Sequence, residues 1–95
     1  MLVLAQQTYV PDDNFENYLE ANGMGNGIAN DDSVTTANIS SVIGLNIANQ
    51  SISDLTGIEG FSNLSWMDCS GNLLITLDLS QNDSINYFNF SNNLF

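Results

Sequence analysis

The chain contains no lysine, no arginine and no histidine among 95 residues, against 11 Asp and Glu, and its formal charge at pH 7 is −11. Grasp of a phosphate backbone rests on Lys and Arg, so nucleic acid is excluded as a partner, and an anionic membrane surface would repel the chain. The same absence removes the usual general bases, Schiff-base amines and oxyanion clamps, and the sequence reads as non-catalytic. Cys69 is the only cysteine, which rules out an internal disulfide. No apolar run is long enough to span a membrane, so membrane insertion is not expected. High solubility, a basic partner or divalent cations fit the charge better.

What the chain does have is a globular share of apolar residues, 43%, and a repeat. Val42-x-x-Leu45-x-Ile47, Leu64-x-x-Met67-x-Cys69-x-x-Asn72-x-Leu74 and Ile85-x-x-Phe88-x-Phe90-x-x-Asn93-x-Phe95 superimpose at spacings of 22 and 21 residues. A fixed period in the twenties means that one supersecondary unit is stacked on copies of itself. In a short strand alternate side chains face opposite sides, so Met67 and Cys69 point inward while Trp66, Asp68 and Ser70 point outward. Cys69 is thereby expected to be a buried, inert ladder residue rather than a nucleophile. Asn72 and Asn93 should hold the turn that ends each strand and stack on one another, and Asn82 is expected to be a turn residue too. An interleaved signal, Leu74-x-x-Leu77-x-Leu79-x-x-Asn82, suggests a second extended segment per coil, with Asp78 and Ser80 on the flank opposite Asp68 and Ser70. On that geometry the two aspartates cannot act together as a glycosidase pair.

The pattern resembles the leucine-rich repeat, L-x-x-L-x-L-x-x-N/C-x-L. The first copy departs from it at Gln50, and its continuation, Ile52-Ser-Asp-Leu55-Thr-Gly-Ile58-Glu-Gly-Phe61-Ser-Asn-Leu64, is similar to runs in secreted bacterial repeat proteins, the internalin-like ones included. The segments Val10-Pro-Asp-x-Asn-Phe15-Glu-x-Tyr-Leu19 and Asp32-Ser-Val34-Thr-Thr-Ala37-Asn-Ile39 resemble the opening of the same proteins. The resemblance implies a leucine-rich repeat solenoid, of the α/β repeat class but mostly β here, with short parallel strands in coils of 21 to 22 residues.

Domain organisation follows. Residues 1–7 read as a leader, with Val3 and Ala5 at the −3 and −1 positions of a signal-peptide remnant and Gln6 as the first mature residue. Residues 8–41 read as an N-terminal cap, with a helix over 11–21 that places Phe15, Tyr18 and Leu19 on one face and Asp12, Asp13 and Glu16 in the first turn. A short helical turn is expected between Gly57 and Leu64. Residues 42–95 read as the repeats, interrupted at Phe95, with further repeats expected beyond it to cover the last copy.

The function implied is a binding or adhesion module, secreted or on a bacterial cell surface, that holds a protein or glycan on the solenoid face. Trp66, Asp68, Ser70, Tyr87, Asn89 and Ser91 form the candidate contact surface, with Trp66 and Tyr87 as a stacking platform. The alternative is a capped structural spacer at the head of a larger secreted protein or enzyme. No cofactor is called for. Asn30, Asp31 and Asp32, in a Gly/Asn/Asp loop, are weak calcium candidates, since an EF-hand reading from Asn22 puts Met24 and Ser33 at ligand positions. Five Asn-x-Ser triplets, at Asn38, Asn49, Asn63, Asn82 and Asn89, carry little weight in so Asn- and Ser-rich a chain.

Overall fold

The N-terminal part consists of strand β1 (Gln7–Tyr9), helix α1 (Asp13–Ala21), strand β2 (Ser33–Thr35) and a single helical turn, α2 (Thr36–Ile39). The computed structural model describes residues 5–95, so Val3 of the expected leader lies outside the described residues. Helix α1 starts two residues later than the expected 11–21. Asp12 is extended (φ −76°, ψ 118°) and caps the helix from outside, its Oδ1 accepting the N–H groups of Asn14 and Phe15 at 3.0 Å each. Its Oδ2 accepts the N–H groups of Ser53 at 3.0 Å and Asp54 at 3.1 Å. One carboxylate therefore satisfies four backbone donors and ties the helix to the chain some forty residues on.

Phe15 and Leu19 are fully buried on the inner face of α1, and Phe15 stacks on Phe61 with ring centroids 6.2 Å apart. Glu16 stands in the first turn as expected and is also wholly buried, its oxygens accepting the N–H groups of Asp31 and Asp32 at 3.1 Å each. The loop after α1 folds back over the helix and takes Glu16 as its anchor. Strands β1 and β2 pair antiparallel, with Thr8 opposite Val34, where sequence suggested only a leader and a loop. Both are three residues long, too short to show a period of two.

Three further strands follow at the expected spacing: β3 (Gly44–Asn46), β4 (Trp66–Asp68) and β5 (Tyr87–Asn89). They form a parallel sheet in which Leu45 faces Met67 and Met67 faces Phe88, offsets of 22 and 21 residues. Parallel neighbours need a crossover, and here it is the rest of each repeat. The crossover after β3 carries one 3₁₀ turn, Ile58–Gly60, inside the predicted window. Gly57, at φ 108°, leads into it. A Cβ there would strike Val10 Cγ2 at 2.7 Å and Tyr9 O at 2.8 Å, so only glycine lets β1 pass.

The inward residues Leu45, Ile47, Met67, Cys69 and Leu74 are buried, each contributing roughly 1.5–3 kcal/mol where the side chain is of Leu or Ile size. Their counterparts Phe88, Phe90 and Phe95 remain 42%, 46% and 58% exposed, because no strand pairs beyond β5 among the described residues. They pack on one another instead, Phe88 on Phe90 at 5.1 Å and Phe90 on Phe95 at 5.7 Å.

The asparagines bond backbone rather than each other. Asn72 Nδ2 donates to Ile47 O and Cys69 O at 2.9 Å each, and its Oδ1 accepts from Gln50 N and Ile52 N at 3.0 Å each. Asn93 repeats this one copy later, donating to Cys69 O and Phe90 O and accepting from Leu74 N. Both side chains reach Cys69 O, so each asparagine spans two copies of the repeat. Asn82 donates to Ile58 O and Phe61 O on the other flank.

The second extended segment forms no strand ladder over residues 74–82. On this flank of successive copies an N–H is taken locally: Asp54 Oδ1 accepts from Thr56 N at 2.8 Å, and Asp78 Oδ1 from Ser80 N at 2.9 Å. Such Asx turns compete with inter-strand pairing.

Candidate functional site

Strand register lays the outward residues in rows. Gly44, Trp66 and Tyr87 form one row, and Asn46, Asp68 and Asn89 the next. Neighbours within a row sit one strand spacing apart, about 4.8 Å. Trp66 is 41% and Tyr87 60% exposed. A Cβ on Gly44 would fall inside the Trp66 indole, so the ring occupies the space that a side chain in β3 would fill. Gly44 was not among the sequence candidates, although aligning the copies puts it in register with both aromatics.

The polar row is engaged in its own backbone. Asp68 Oδ1 accepts from Ser70 N at 3.0 Å and Ser70 Oγ at 2.6 Å, and Asn89 Oδ1 from Ser91 N at 3.0 Å and Ser91 Oγ at 2.7 Å. Asn46 does the same with Ala48 N at 3.1 Å. The structure thus brings all six candidate contact residues onto one face. It also gives Asp68, Ser70, Asn89 and Ser91 a turn-forming task, leaving the second Asp68 oxygen and the Asn89 amide for outside contacts.

Cys69 lies beneath this face, fully buried, and burial followed by the charge of Asp68 pushes its thiol above the ordinary 9.0. A thiol so placed stays protonated at neutral pH.

The acidic loop brings two of the calcium candidates, Asp31 and Asp32, close to carboxylates of α1. Among the described residues two groups of three carboxylates come close together, Asp13/Glu16/Asp32 and Glu16/Glu20/Asp31. Glu16 belongs to both. The groups already serve the protein: Glu20 accepts from Asn26 N and Gly27 N at 2.9 Å each, and Asp31 Oδ2 accepts from Asn26 Nδ2 at 2.7 Å. Burial, then the hydrogen bond with Asp31, raises Glu16 above its ordinary 4.5, while the Asn26 amide chiefly holds Asp31 below 3.8.

A parallel sheet repeating every 21 to 22 residues behind a short helix is an architecture shared with solved internalin domains. Among curated proteins the chain is similar to Internalin J of Listeria monocytogenes serotype 4b (strain F2365), 35% identical over 74 residues, which are 78% of this chain and 8% of that protein. The solved functional domain of InlJ from Listeria monocytogenes, described as including a cysteine ladder, aligns with 98% of the chain and 21% of its own length at 31% identity and a TM-score of 0.76. Internalin C2 from L. monocytogenes aligns with 98% of the chain and 42% of its own at 24% identity and a TM-score of 0.75, a likeness of fold alone. The CBM51-2 and INT domains of Clostridium perfringens ZmpB do so over 92% and 18% at 20% identity and a TM-score of 0.71. No protein-family model matches. The chain therefore spans a small part of the proteins it resembles. It departs from a cysteine ladder: the positions in register with Cys69 are Ile47 and Phe90.

Proposed function

We propose that this chain is the head of a leucine-rich repeat solenoid, exported or displayed on a bacterial surface, that binds a protein or glycan through its strand face and performs no catalysis. In this reading α1 with its loop caps the first coil, and Phe88, Phe90 and Phe95 are covered by further repeats. The reading is carried by Trp66 and Tyr87, in register on adjacent strands and 41% and 60% exposed. Aromatics bring large contact area at small rotamer cost, and exposed pairs of this size on a sheet are typical binding anchors. The internalin likeness and the missing cations support it, the latter by steering away from nucleic acid and acidic ligands.

The use of Asp68, Ser70, Asn89 and Ser91 in turns favours a second reading, in which the segment is a structural spacer. Trp66→Ala with Tyr87→Ala separates the two. As a binding face, the double variant keeps its unfolding midpoint and loses tenfold or more in affinity on glycan and protein arrays, about the worth of one aromatic anchor. Unchanged binding supports the spacer.

A further inference from the structure

Asn-Gly, the dipeptide in which an asparagine side chain is most open to attack by the next backbone nitrogen, occurs twice in the chain, at Asn22-Gly23 and Asn26-Gly27. Both lie in the loop that follows α1, and their surroundings are opposite. Asn22 is the C-cap of the helix, and both it and Gly23 are exposed. Its Nδ2 donates to Tyr18 O at 2.7 Å. Among the described residues nothing donates to its Oδ1, and Gly23 N donates to nothing. Gly23 stands at φ 75° with open space where a Cβ would be. Asn26, in contrast, is held at every polar atom. Its Nδ2 donates to Gln7 Oε1 at 3.1 Å and Asp31 Oδ2 at 2.7 Å, and its Oδ1 accepts from Ile28 N at 2.9 Å. The Glu20 carboxylate takes the backbone N–H groups of Asn26 and Gly27 at 2.9 Å each.

We propose that Asn22 is a site of spontaneous deamidation in the folded protein, and that Glu20 protects Asn26 from the same reaction. The glycine nitrogen, having given its proton to hydroxide, bonds to the asparagine Cγ; the Cγ–Nδ2 bond breaks, and ammonia leaves with a proton taken from water. Water then opens the cyclic imide at one of its two acyl C–N bonds. Cleavage at Cγ leaves aspartate, and cleavage at the main-chain carbonyl leaves isoaspartate; nothing is oxidised or reduced. At Gly23 the nitrogen is free to act. At Gly27 it must first leave the Glu20 carboxylate, whose charge also opposes loss of its proton, and the Asn26 amide must give up three bonds. Breaking a bond to a charged acceptor slows such a step by roughly tenfold or more. The product at residue 22 adds a negative charge to a chain already at −11 and sets it at the C-terminal end of α1, where the helix dipole is negative. The bond to Tyr18 O goes with the amide, so conversion weakens this end of the helix. The site is separate from the Trp66 face and rests on nothing proposed for it.

The test keeps the full chain at mildly alkaline pH and body temperature, folded or in guanidinium chloride, and follows amide loss at residues 22 and 26. Chymotryptic peptides are fragmented in a mass spectrometer, since the chain offers trypsin no site. The folded parent is expected to lose amide at Asn22 at least about tenfold faster than at Asn26, and guanidinium chloride to bring the two rates together. Glu20→Ala should speed the reaction at Asn26 by roughly tenfold, while Asn22 keeps its rate as an internal reference and circular dichroism checks the fold. Equal rates in the folded parent, no loss at Asn22 over several weeks, or a difference that persists in denaturant would overturn the proposal, and these comparisons need no variant. An unchanged Asn26 rate in folded Glu20→Ala would overturn it as well.

Discussion

Replacing Asn72 with alanine tests how the repeats are joined. The side chain is 3% exposed and bridges two copies of the pattern. Its loss strands the N–H of Ile52 and the carbonyl of Ile47 in buried surroundings, and the N–H of Gln50 nearer the surface, while Cys69 O keeps its bond from Asn93. An orphaned buried peptide group costs about 1–3 kcal/mol, but neighbouring groups relax together, so the sum is not additive. A net loss of about 3 kcal/mol is expected. Against the roughly 5–14 kcal/mol typical for a chain of this length, that is a large share. Urea unfolding followed by far-ultraviolet circular dichroism and by Trp66 emission measures it. Asn46→Ala, which removes one exposed bond to Ala48 N, is the control and should stay within about 0.5 kcal/mol of the parent. Asn72→Asp keeps the acceptor toward Gln50 and Ile52 but turns a second acceptor on the two carbonyls, and should fare no better than alanine. A loss below about 1 kcal/mol, or one equal to the control, would refute the reasoning.

Further outcomes can be checked with simple assays. Gly44→Ala should lift the Trp66 indole off β3, shifting its emission to the red and increasing quenching by acrylamide, because a Cβ has no room beneath the ring. Asp12→Ala should lower the melting temperature, since it removes an N-cap and the tie to Ser53 and Asp54 together. Glu16 ionises at higher pH folded than unfolded, so its contribution is fully present below about 4.5 and lost as pH rises through the raised value. Parent minus Glu16→Gln stability should accordingly fall as pH is raised from 4.5, read as a difference in melting temperature, whereas Asp31, held low, acts in the opposite sense below 3.8. Native protein should not react with Ellman's reagent at pH 7 and should show one thiol in denaturant, Cys69 being buried and its thiol raised.

The spacing of Val42, Leu64 and Ile85 determined that one unit stacks on the next at offsets of 22 and 21, and the leucine-rich repeat resemblance added that the strands run parallel. A repeat constrains every copy at once, so its period survives individual departures such as Gln50. The alternation within each strand likewise put Met67 and Cys69 inside and Trp66 and Tyr87 outside, a consequence of backbone pleating that needs no tertiary information. The helix was legible from Phe15, Tyr18 and Leu19, as was the turn near Ile58. Other features depended on residues distant in sequence meeting in space. The burial of Glu16 arises because the loop to Asp32 folds over α1, and the double duty of Asp12 because Ser53 arrives beside it. The pairing of β1 with β2 joins segments too short to carry a period. The seat of the indole on Gly44 requires the register between β3 and β4, and the hold of Glu20 on Gly27 exists only once the loop turns back on α1. Local pattern sets which side chains face inward, while tertiary contact alone decides which carboxylates are buried, which are bonded and which stay open to a partner.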